Sequence, residues 1–159
     1  MVQLFLVLHV LGAIFVFGPS MAFTFIAGET RRMPGHGAFA AAVADAIERK
    51  LVLPGAVVQG ISGVCLIFVV GVDLTKPEWR WLILGIALYI VAIGFAFSVQ
   101  APNSAKMLEL AKTPPPAGVV PAGPPPEIVA LGKKLARGGQ FLTVMIVIIV
   151  ILMVTKPIS

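Results

Sequence analysis

His9 is the one imidazole in the run QLFLVLHVLGAIFVFGPSM, residues 3–21, where almost every neighbour is apolar or small. Three roles fit such a residue. Imidazole is a common metal and haem ligand. It also hydrogen-bonds neighbouring helices, or it packs and does no chemistry. An ionisable side chain inside a membrane span is a functional candidate by default. Haem b between helices takes a second axial ligand. His36 lies in a polar stretch at the other end of the first apolar run and cannot reach the same iron. Met153, or Met145, is then the candidate second ligand of a haem b held by His9. Tyr89 is the expected hydrogen-bond partner of His9 within the chain, and Gln59 and Ser62 are further candidates for polar contacts between helices.

Other chemistry finds few carriers. Cys65 is the single cysteine, so a CxxC or Cys/His metal cluster is excluded by count, and no set of metal-ligating residues is assigned. Ser20, Ser62 and Ser98 have no base that the sequence identifies, and the glycine-rich patches have no phosphate-loop pattern. No catalytic residue is assigned.

The elements that position these residues follow from hydropathy. The chain has 159 residues, of which 58% are hydrophobic and 12% charged. A soluble domain carries about 25% charged residues. No Asp, Glu, Lys or Arg occurs in residues 1–28, 51–72, 81–105 or 138–155. A helix needs about 20 apolar residues to cross a hydrocarbon core of about 30 Å. Lipid offers no partner for open backbone, so each stretch should be helical. The expected fold is all-α: one domain over residues 1–159, with four transmembrane helices in an up-down bundle, at about 2–27, 51–72, 81–100 and 138–155. The first run lacks a basic segment before Leu4 and reads as a span rather than a signal peptide.

Orientation comes from the basic residues. Arg31, Arg32, Arg49, Lys50, Lys106, Lys112, Lys133, Lys134 and Arg137 fall on one side, and Lys76, Arg80 and Lys156 on the other. The Lys/Arg-rich side is cytoplasmic. This predicts an N-out/C-out protein of a bacterial-type inner membrane, with loops 28–50 and 101–137 in the cytoplasm as helical extensions of the spans. Arg49, Lys50, Lys133, Lys134 and Arg137 border the spans and should meet lipid headgroups. Nucleic acid is not an expected partner, since no aromatic platform is interleaved with these cations.

Local patterns refine the picture. GETRRMPGHG reads as a loop, Pro19 as a kink, and Phe39, Val43, Ile47 and Leu51 as the stripe of a helix that continues into span two or bends at Pro54. Asp45 and Arg49 are spaced to pair. Gly12, Gly55, Gly63 and Gly85 mark close helix packing. Trp79 and Trp81 read as an interfacial belt. Residues 113–126 hold seven of the 13 prolines and read as a stiff cytoplasmic linker.

The stretch LHVLGAIFVFG, residues 8–18, resembles the first helix of two groups. One is a family of predicted bacterial four-helix integral membrane proteins, the domain of unknown function 2269 type. That likeness extends over most of the chain, through the small-residue second helix, the Trp-led third helix and APNSAKML at residues 101–108. It implies the four-helix membrane fold and supplies no catalytic residues. The other group is the haem-binding four-helix protoporphyrinogen oxidases with the related copper-resistance membrane proteins. It implies a ligand role for His9. The oxidases also place a Lys a few residues after a Trp at the start of the third helix, where EWRWLILG here has Ile83 or Gly85.

Three functions are therefore carried forward. The first is a non-enzymatic accessory or oligomerising subunit of a membrane assembly, with its own copies or other membrane subunits as partners. The second is a haem- or metal-binding redox protein centred on His9. The third is a small-molecule transporter or channel formed by an oligomer.

Overall fold

The computed structural model describes residues 1–33, 35–113 and 123–157. Most of the linker expected at 113–126 lies outside them. Six α-helices are present among the described residues: α1 (Val2–Arg32), α2 (Gly37–Ile47), α3 (Leu53–Val70), α4 (Arg80–Phe95), α5 (Ala101–Lys112) and α6 (Pro126–Thr155). No strand occurs among the described residues.

Helices α2 and α3 are joined without a break by one wide π turn, Glu48–Val52, and α4 and α5 by another, Ala96–Gln100. Each wide turn precedes a proline, Pro54 and Pro102. Proline has no N–H and its ring crowds the carbonyl four residues back. Widening the turn relieves that clash. Leu53 then bonds back five residues to the Glu48 carbonyl, and Ala101 to that of Ala96. The bend entertained at Pro54 is thus a change of helical pitch.

Four apolar helices long enough to cross a membrane result: Val2–Arg32, Gly37–Val70, Pro77–Lys112 and Pro126–Thr155. At 1.5 Å per residue, 30 to 36 residues reach about 45–54 Å, well beyond a hydrocarbon core of about 30 Å. Helix α1 runs through Pro19 and on through GETRR, so the expected loop begins five residues later than its composition implies. Thr30 Oγ1 donates to the Ile26 carbonyl at 2.7 Å, and Arg32 pairs with Glu29 at 2.9 Å, which supports this added turn.

The other connection is short. Gly71, with φ +74°, closes α3 by donating to the Ile67 and Phe68 carbonyls. Asp73 then accepts from the Thr75 N–H at 3.1 Å and hydroxyl at 2.7 Å. These bonds favour the charged form and hold the Asp73 carboxyl below its usual range. The excess helix length therefore projects at the opposite, basic end.

Helix α1 lies along α3, α4 along α6, and α2 against α5. The pairs α1–α3 and α4–α6 are antiparallel: Gly12 meets Gln59 while Gly55 meets Phe15, and Gly85 meets Met153 while Gly138 meets Phe95. Along α6 the buried residues are Leu131, Gly138, Met145 and Leu152, one every seven. That period keeps a single seam facing the partner helix. The rest of the surface is apolar and open, with Phe68 at 79% and Val154 at 75% exposure. Exposure on this scale would be unfavourable in water and is satisfied by acyl chains.

Trp81, expected with Trp79 in an interfacial belt, is buried within the chain. It packs on Trp79, with ring centroids 5.8 Å apart, and Lys156 Nζ stands 5.4 Å from its ring centroid. A cation over the indole and a neighbouring ring close this end of the α4–α6 seam.

Candidate functional site

His9 sits where α1 and α3 approach most closely. A Cβ added at Gly12 would lie 3.0 Å from Gln59 Cβ and 3.1 Å from its Cα. One at Gly55 would lie 3.3 Å from Phe15 Cβ, and one at Gly63 would lie 3.0 Å from His9 Cε1. Glycine is needed at Gly12 and Gly63 because a neighbouring backbone or ring occupies the space a side chain would take.

The imidazole Nδ1 lies 2.9 Å from the Gln59 carbonyl oxygen and 3.3 Å from Ser62 Oγ. A carbonyl only accepts, so Nδ1 carries the proton of this bond. Ser62, buried, donates to the same carbonyl at 3.0 Å. Gln59 thus enters the contact through its backbone and not, as its side chain suggested, through its amide.

The sequence pairing of His9 with Tyr89 is not what forms. Tyr89 Oη donates to the Ala56 carbonyl at 2.7 Å. Its ring rests on Gly60, where a Cβ would collide with the hydroxyl. The two side chains bind α3 from different helices, α1 and α4, one turn apart. Replacing Tyr89 by Phe keeps the ring and loses the bond. We expect a loss of about 0.6 kcal/mol, the average for hydrogen bonds between membrane helices, read as a lower unfolding midpoint in detergent.

The other site candidates scatter. Met153 turns its methyl onto Gly85 of α4, and Met145 is buried in the α4–α6 seam. Arg49 and Lys50 are exposed at the start of span two, and Lys133, Lys134 and Arg137 on the first turns of α6. Among the described residues no group of three His, Cys, Asp or Glu side chains stands together.

Two contacts escaped the sequence reading. Gln100 reaches α6, with Nε2 3.4 Å from the Leu135 carbonyl and its amide oxygen against Gly138. At the basic end, Asp45 and Glu48 are buried, Glu48 at 5% exposure, and Ser104 of α5 is buried with them. Asp45 pairs with Arg49 at 2.9 Å, as their spacing allows. Glu48 hydrogen-bonds Ser104, yet burial outweighs that bond, so its carboxyl is held above the usual range. The signal was available, since Asp45 and Glu48 are three apart and share one helix face.

Four long apolar helices with polar side chains placed at their contacts define an integral membrane protein. The chain belongs to the family described as predicted integral membrane protein (DUF2269), whose model matches residues 3–157. No curated protein and no solved structure matches the chain.

Proposed function

We propose that this protein is a non-enzymatic accessory subunit that assembles laterally in the membrane, with its own copies or with other membrane subunits. One observation carries the reading. Polar side chains of the spans hydrogen-bond backbone carbonyls of neighbouring helices: His9 that of Gln59, Tyr89 that of Ala56, and Gln100 that of Leu135. Their polarity is used to hold helices together. On this reading the basic end faces the cytoplasm of a bacterial-type inner membrane, in keeping with the Lys/Arg asymmetry. Light scattering in mild detergent tests the assembly. Two or more chains per particle, or a co-purifying membrane protein, supports it. A single chain alone overturns it.

A haem or metal role for His9 is the second reading. Ligating histidines give their other ring N–H to a carbonyl, and His9 has that half of the arrangement. Against a porphyrin, the α1–α3 seam is closed by Gly12 on Gln59 and leaves no width between those helices. Any ligation runs through Nε2, away from Gln59. The check is an absorption spectrum of protein from haem-supplied cells, wild type beside His9→Ala. We expect no Soret band in either. A band lost in the variant would replace the subunit reading with a cytochrome-like one.

A further inference from the structure

The flank between α3 and the end of α4 carries a groove of about 380 Å³ lined by Arg49, Leu53, Pro54, Val57 and Phe97. It lies at the basic end of the spans. Each wide turn gives one lining residue, Arg49 from Glu48–Val52 and Phe97 from Ala96–Gln100, and the first turns of α3 give the other three. Such turns recur at functional sites. The lining is one cation followed by four apolar residues.

The cation is held in place. Arg49 Nε donates to Asp45 Oδ1 at 2.9 Å, while the Arg49 side chain stays 54% exposed. That bond uses one donor and leaves the terminal amino groups of the guanidinium for another acceptor. From Arg49 to Val57 the groove descends about two turns, or roughly 12 Å, from headgroup level into the hydrocarbon. The gradient suits a phosphate above and an acyl chain below.

We propose that this groove seats one anionic phospholipid, with its phosphate on Arg49 and an acyl chain along Leu53, Pro54, Val57 and Phe97. Of the nearby carboxylates, Asp45 is buried and bonded to Arg49 and Glu48 is buried, while exposed Lys50 adds a second cation beside the first. Basic pockets between membrane helices take anionic headgroups in this way. The proposal is independent of the assembly reading, because a single chain carries every residue of the groove.

The test uses full-length protein, delipidated in detergent, with phosphatidylglycerol or phosphatidylcholine added in mixed micelles and the unfolding midpoint followed. Wild type is compared with Arg49→Gln and Val57→Trp. The first removes the cation, and the second fills the groove from an exposed position without changing charge. Phosphatidylglycerol should raise the wild-type midpoint. Its apparent affinity should fall on the order of tenfold in Arg49→Gln, the loss of one charged hydrogen bond, and comparably in Val57→Trp. Native mass spectrometry of the undelipidated wild type should show one phosphatidylglycerol retained per chain. Equal responses in all three proteins, an equal response to phosphatidylcholine, no response in wild type, or retained lipid that only mirrors the bulk composition would overturn it.

Discussion

Replacing Gly12 by alanine is expected to destabilise the protein by about 2 kcal/mol, within the 1–3 kcal/mol usual for overpacking. The added methyl would stand 3.0–3.2 Å from Gln59 Cβ, Cα and N. Two of those atoms are backbone, so no rotamer change relieves the contact and α1 must move away from α3. A Cβ at Gly28 of the same helix meets nothing within 4 Å. Gly28→Ala is therefore the matched control, and it should be neutral or slightly stabilising because alanine is the better helix former. The unfolding midpoints of the two variants in one detergent, read against wild type, check this. Gly28→Ala falling as far as Gly12→Ala would refute close packing as the cause.

The same variant bears on His9. Gln59 presents its N and Cα to Gly12 and its carbonyl to the imidazole. Forcing the helices apart should lengthen the bond to Nδ1. His9→Ala should then cost less in the Gly12→Ala background than alone, since residues sharing one contact are not additive. Equal costs in the two backgrounds would mean that the seam and the hydrogen bond are separate devices.

The four spans were legible because lipid reduces folding to one rule, that charge-free runs of sufficient length become helices. The ends were less so. GETRR reads as a loop by composition, yet it adds a turn to α1, because aqueous helix beyond the bilayer is judged by local bonds such as Thr30 to Ile26 and not by hydropathy. His9 stood out, but its partner did not. A backbone carbonyl leaves no mark in a sequence, so the conspicuous Tyr89 was paired with it instead of Gln59. The seam of α6 was hidden for a related reason. Leu131, Gly138, Met145 and Leu152 mix large residues with a glycine, and their spacing of seven is what unites them.

Glu48→Gln should raise the unfolding midpoint at pH 8 and leave it nearly unchanged at pH 4. Burial holds the Glu48 carboxyl above its ordinary 4.5, with Asp45 adding repulsion and with Ser104 and Arg49 opposing in part. The folded chain therefore keeps this proton to a higher pH than the unfolded chain does. Stability from the protonated form is fully present below about 4.5 and is lost as pH rises through the raised folded value. Gln is uncharged at every pH and fits the same space, and its amide still meets the Ser104 hydroxyl. Wild type should thus lose stability over that interval while the variant stays flat, with a gap on the order of a few degrees at pH 8. The Glu48 side chain precedes the charge-free run 51–72 and is buried in the layer where α2 meets α5. A pH-independent difference between the two proteins would point to altered packing there, and a fall in midpoint at pH 8 would mean that the buried carboxylate stabilises the folded chain.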